Sequence, residues 1–277
     1  TELSGKTEQL RAGQTAYHRE ASRLESLRNI TERYDGYGNS IRKVMERKEQ
    51  EPGLLGVVAD IIKVDKSYEI AIETALGGSI QNIVTDNEGT AKRMITYLKQ
   101  NKFGRATFLP LTSMTGSQGI RQKEALHESG VIGLAHTLVT VEDKFLGLAE
   151  NLLGRTIVVK HIDDGIALAR KYKQSLRIVT MEGELINPGG SMTGGAFKNS
   201  SNLLSRRREI EEFEKTVLML KNEMAQMELE VNQAKEERTS YYRRIDELNP
   251  KLQELYVTQN TIKIGLNQAR AKKKEAV

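Results

Sequence analysis

Between Leu203 and Ala269 apolar residues recur in alternating steps of three and four. The series runs Ile210, Phe213, Val217, Leu220, Met224, Met227, Val231 and Ala234, then Tyr241, Ile245, Leu248, Leu252, Leu255, Ile262, Leu266 and Ala269. Arg238 and Gln259 are polar interruptions, and charged residues fill most other positions. Such a heptad points to a coiled coil, because an ordinary amphipathic surface helix rarely exceeds about 20 residues. No Gly or Pro occurs between Ala196 and Asn249. Pro250 lies outside the apolar seam, yet it removes an amide and clashes with the preceding turn. Asn249-Pro250 also reads as an N-cap with Pro at the first helical position. A kink or break is therefore expected near 250.

Residues 1–50 carry a weaker version of the pattern. Leu10, Tyr17, Leu24 and Thr31 form one row; Leu27, Tyr34 and Ile41 form a second. The segment YDGYGNS (34–40) interrupts it, helix resumes as IRKVMERK, and Glu51-Pro52-Gly53 stops it. The layout is an N-terminal arm (1–50), a central domain (51–200) and a C-terminal arm (201–277). Two heptad arms flanking one domain return the chain on itself, so 1–48 should pair antiparallel with the helix after 203. Equal lengths set residue 1 near residue 250 and leave 251–277 without a partner in this chain.

The centre has another texture. GVVADII (56–62) is a β-branched run, YEIAIETAL a helix, IQNIVTD a strand, EGTAKRMITYLKQ a helix and RATFLPL a strand. After a polar, Gly-rich linker (112–120) come a helix near 142–153, strand TIVVK, helix DDGIALARKY and strand RIVTM. Helices and strands alternating at this length predict an α+β or α/β domain. The segments 71–109 and 148–181 repeat one plan of helix, Leu-Gly, strand, acidic cap, helix and strand. Leu76-Gly77 corresponds to Leu153-Gly154, and Arg105 to Arg177. The predicted fold class is α+β, with two pseudo-symmetric halves (about 51–120 and 121–200) flanked by a long antiparallel coiled coil.

Chemistry is sparse. There is no cysteine, which rules out a disulfide framework, a thiolate metal site and a Cys-x-x-Cys zinc hook. The four histidines (18, 127, 136, 161) have no metal-ligand spacing. Ser4-Gly5-Lys6-Thr7 ends like a P-loop, but it lacks the glycine five residues earlier and a strand leading in. Gly189-Gly190-Ser191-Met192-Thr193 approaches a nucleophile elbow without its last Gly. No catalytic residue is assigned, and no apolar run nears the ~20 residues of a bilayer helix. A soluble, cytoplasmic protein is expected. Net charge +5 permits nucleic-acid binding if focused on one face.

The stretch INPGGSMTGGAF (186–197) holds four glycines. As a phosphate cradle it should lead straight into a helix N-terminus. Polar, irregular residues follow it instead, up to a helix start near Ser205. Close approach of a second backbone is the better reading, with Gly77-Gly78 in ALGGSIQ as a surface of the same kind. A nucleotide-binding enzyme domain with coiled-coil arms is the alternative.

Together, GVVADII, ALGGSIQNIV, KQNKFGRATFLPL and INPGGSMTGG resemble the hinge domain of bacterial SMC (structural maintenance of chromosomes) proteins, over nearly all of 34–210. The resemblance implies a homodimeric hinge, ring-like through two interfaces, with Gly189, Gly190, Gly194 and Gly195 meeting Gly77 and Gly78. It implies weak, sequence-independent DNA binding near the coiled-coil junction. By match and charge the candidates are Lys102, Arg105, Lys198 and the triplet Arg206, Arg207 and Arg208. It further implies a hinge piece of a longer chain, whose ATPase heads, with ATP and Mg, lie outside this sequence. The whole protein would act at the nucleoid with kleisin partners in chromosome condensation, cohesion and segregation.

Overall fold

Two copies of one strand–helix plan occupy the centre of the chain. The computed structural model describes residues 2–196 and 203–275. Residues Ser22–Lys215 make one unit, and Thr1–Ala21 with Thr216–Val277 another.

In the first half, β1 (Leu54–Val57) leads into a single turn, α3 (Val58–Ile61), then β2 (Lys63–Val64), α4 (Glu69–Leu76), β3 (Ile83–Thr85), α5 (Glu88–Asn101) and β4 (Phe108–Pro110). The second half runs β5 (Val131–Leu134), β6 (Val139–Thr140), α6 (Leu146–Leu153), β7 (Thr156–Val159), α7 (Ile162–Lys171) and β8 (Arg177–Thr180). It then adds β9 (Leu185–Ile186) and β10 (Met192–Thr193). β1 pairs antiparallel with β3 across an irregularity at Gly56, and β5 with β7 across one at Gly133. β3–β4 and β7–β8 are parallel. The Asp86 amide donates to Gly53 O, and the Lys160 amide to Gly130 O, at the same point of each half. The two short strands β2 and β6 pair antiparallel with each other, so each half contributes the same element to the join.

Burial holds the halves together. Ile72, Leu76 and Ile83 share a core with Leu148, Leu153, Val158 and Val179. A second cluster, with Leu168, Ile178 and Ile186, lies under α7. All of β7 is buried, and each such Ile or Val contributes about 1.5–3 kcal/mol.

The β-branched run GVVADII divides: β1 ends at Val57, and the single helical turn α3 takes Val58–Ile61. Several expectations are corrected. Arg105 does not match Arg177. Val84 follows Gly77 by seven residues and Val158 follows Gly154 by only four, the surplus being a 3-10 turn at Gly77–Gln81. With Val84 and Val158 both opposite the irregular glycines, the partner of Arg177 is Thr107.

The N-terminal arm is shorter than 1–50. Helix α1 (Glu2–Glu32) stops well before residue 50, and α2 (Asn39–Met45) puts Val44 and Met45 into the central core. The antiparallel register shifts accordingly: Lys6 Nζ lies 3.5 Å from Glu230, and Gly13 faces Met224 and Met227. The start of α1 thus lies beside Lys235, Arg238 and Tyr242, well short of residue 250. From Lys235 to Glu275 every residue is exposed. Nor does the chain break at 250. Helix α8 (Leu203–Glu275) runs through Pro250, whose cost of about 3 kcal/mol is local while long helix continues on both sides.

Candidate dimer and DNA interfaces

The glycine loop after β9 is built from its own hydrogen bonds. Gly190 donates its amide to Asn187 O (2.9 Å), with Pro188 and Gly189 between. Gly189 and Gly190 sit at φ +91° and +93°, and Pro then Gly suits a tight turn of this kind. The Gly189 amide goes to Gln174 O (2.8 Å), and the Asn187 amide to Ser191 O (2.9 Å). The amides of Asn187, Gly189 and Gly190 are therefore committed within the chain. Beyond the turn, β10 pairs with β9 as the last strand of the order β10-β9-β8-β7-β5. Its outer edge has no strand partner among the described residues. Met192 on it is 54% exposed, and Gly194 and Gly195 beside it are exposed too. A short open edge is a template for another chain.

The second glycine segment follows helix α4. Gly77 ends that helix at φ +53°, where a side chain would be strained. Gly78 has an ordinary φ, and a Cβ placed there meets nothing within 4 Å. Neither backbone conformation nor packing inside its own chain requires glycine at 78. Arg177 ties the two glycine segments together: Nη2 donates to Ala75 O in the last turn of α4 (3.1 Å) and Nη1 to Asn187 Oδ1 (3.2 Å). The sequence offered no sign of this bridge beyond an arginine opening a strand.

The basic candidates divide. Lys102 follows α5 in a left-handed conformation (φ 53°), and Arg105 lies in the connection leading to β4; both are exposed. Lys198 lies outside the described residues. The triplet is engaged within its own chain. Successive helical residues point about 100° apart, so three in a row cannot face one strand of phosphates. Arg206 Nη1 donates to Asp35 O (2.7 Å), Arg207 to Asp60 O, and Arg208 to the Glu69 carboxylate. Arg208 also pairs with Glu212 (2.8 Å). Each arginine grips a different segment: the turn after α1, the end of α3's single turn, and α4.

Around this junction burial raises the Asp60 carboxyl despite the hydrogen bond from Tyr34 (3.1 Å). Burial likewise lifts Glu73 to about 7, against the pull of the Leu203 amide that it accepts at the start of α8.

A basic face missed in the sequence runs along α2 and α5, which pack together. Arg47 lies over the Tyr97 ring (4.7 Å) and Lys43 over Phe103 (5.6 Å). Arg42, Lys92 and Lys99 are exposed, as are Lys102 and Arg105. Carboxylates oppose part of it: Asp35 lies 4.0 Å from Arg42, Glu46 pairs with Lys43 and Glu51 with Arg93. The signal was present in IRKVMERK, whose bases do not fit a coiled-coil seam.

A family model described as "SMC proteins Flexible Hinge Domain" matches residues 51–169. The chain is 40% identical over 208 residues to the chromosome partition protein Smc of Halothermothrix orenii, covering 74% of this chain. It is 38% identical over 218 residues to that of Bacillus subtilis, covering 77%. In both cases it spans 18% of the relative's length. An asymmetric dimer of the Geobacillus stearothermophilus SMC hinge domain superposes with TM-score 0.77 at 33% identity, over 84% of this chain and 95% of that one.

Proposed function

Because this chain belongs to the SMC hinge family, we propose that it is the homodimerisation hinge of a chromosome-partition ATPase. Its glycine surfaces meet those of a second copy, and its basic face holds DNA without reading sequence. One observation carries the dimer reading: Gly78 answers to nothing in its own chain. The open edge of β10 supports it, since an isologous contact joins self-complementary patches. Sedimentation equilibrium is expected to return twice the chain mass; a single copy at about 100 μM, a concentration far above typical nanomolar-to-micromolar dimer affinities, overturns the reading.

The DNA contact belongs to the α2–α5 face, with Lys102 and Arg105 on it and the arginine triplet off it. Phosphate contacts of this kind orient the protein and carry no base information. Replacing Lys102 and Arg105 together by Ala should weaken duplex binding for every sequence alike. The log–log salt slope should fall by about 2, near 0.9 for each phosphate no longer neutralised. An unchanged slope would move the interface elsewhere.

The rest of the proposed role belongs to the longer protein. ATP and Mg would be bound at head domains outside this chain, which itself carries no catalytic step, with kleisin-type subunits there. The assembly would act in the cytoplasm at the nucleoid, in chromosome condensation, cohesion and segregation.

A further inference from the structure

We propose that Arg177 is a positioning residue for dimerisation, holding the Gly77-Gly78 segment and the Gly189-Gly190 loop in one fixed arrangement. The inference rests on the glycine surfaces being the interface. Its geometric basis is a chain of hydrogen bonds through the domain. Ala75 O accepts from Arg177 Nη2 (3.1 Å), and Asn187 Oδ1 from Nη1 (3.2 Å). Asn187 passes the constraint on: its Nδ2 donates to Ser191 Oγ (3.2 Å) and its amide to Ser191 O (2.9 Å). Ser191 adjoins Met192, the start of the open edge strand β10.

The residue type fits the task. A guanidinium presents a rigid fork, so one side chain can serve two acceptors on separate segments, whereas an ammonium is a single point charge. Ala75 O is among the last four carbonyls of α4, which lack helical partners and favour a cation. The other half of the fold shows that the position itself does not need this arginine: its equivalent, the residue just before β4, is Thr107. What the second half has and the first lacks is the Asn187–Gly190 turn to be aligned with α4. Bare backbone against bare backbone tolerates little displacement, because dispersion attraction between close-packed surfaces fades over fractions of an ångström.

The test compares wild type with Arg177→Met, which keeps the aliphatic stem, Arg177→Lys, and Gly78→Leu, in dilution series by sedimentation. Amide exchange is read on β7 and β8. Arg177→Met should raise the dimer dissociation constant at least about tenfold, since two charge-assisted hydrogen bonds are removed. Arg177→Lys should fall between it and wild type, and protection of Val158 and Val179 should be unchanged. A purely structural role would instead lower protection and affinity together, and that result overturns the proposal. So does wild-type affinity in Arg177→Met. Should Arg177→Met fail to fold, Arg177→Lys decides, and wild-type affinity there overturns it equally. If Gly78→Leu is monomeric while the Arg177 variants dimerise normally, only the positioning role falls. If Gly78→Leu dimerises like wild type, the interface reading falls and takes this inference with it.

Discussion

Replacing Gly78 by leucine is expected to leave the hinge folded and to turn a dimer into a monomer. The two effects have opposite signs because they arise in different places. Within one chain a side chain at 78 enters open space, and the backbone there is not left-handed. Removing a glycine from a compatible position lowers the entropy of the unfolded chain, for a gain of about 0.4–1 kcal/mol. At a close backbone interface the same side chain is an intruder, and forcing extra methylenes into a packed site costs about 1–3 kcal/mol. Two-fold symmetry doubles the clash. The association constant should therefore drop by roughly 30-fold or more, at 1.4 kcal/mol per decade. Gly189, Gly190 and Gly195 are poorer probes, since each has a positive φ and alanine there strains the backbone by about 1–2 kcal/mol. Sedimentation beside a thermal melt reads both effects. A folded, fully dimeric Gly78→Leu would remove the main reason for placing the interface here.

The repeat was legible in the sequence because it is written in whole elements. Leu76-Gly77 and Leu153-Gly154 end equivalent helices, and each is followed by a buried strand. What failed was counting across them. The extra 3-10 turn at Gly77–Gln81 slides the first half against the second, so matching arginines by their distance from a strand gave the wrong pair. Strands β2, β6, β9 and β10 are two residues each, too short for any alternation to register. The arm register failed for a related reason. Apolar spacing in IRKVMERK continues the heptad, but Val44 and Met45 are captured by the central core, a tertiary choice that periodicity does not encode. In the site, the glycine segments were legible because glycine in such density has few uses. Arg177 was not, because its partners are a helix-end carbonyl and a side chain that only the fold brings together. The partners of the arginine triplet were not legible either: charge alone does not say whether a guanidinium faces solvent or the neighbouring turn.

Arg208→Ala is expected to cost about 3–5 kcal/mol, because it strands a buried carboxylate. Glu69 is 4% exposed, and its ion pair with Arg208 is the most enclosed of those described in the unit. The contrast is Arg28–Glu214, with both partners nearly half exposed, where loss of either should cost at most about 1 kcal/mol. For a unit of this size the larger figure corresponds to a fall of roughly 10 °C in melting temperature. The damage should be repaired by removing the other charge. Glu69→Met with Arg208→Met leaves no buried unpaired ion, since Glu212, the other partner of Arg208, is 60% exposed, and apolar replacement of a buried pair is often neutral or better. Urea unfolding of Glu69→Met, Arg208→Met and the double variant gives the cycle, with midpoints read at constant m. The same proteins separate structure from DNA binding. At a temperature where Arg208→Ala is still folded, its duplex affinity and salt slope should equal those of wild type. Stability within about 1 kcal/mol of wild type together with a flattened salt slope would return the triplet to the phosphates and take it away from the junction.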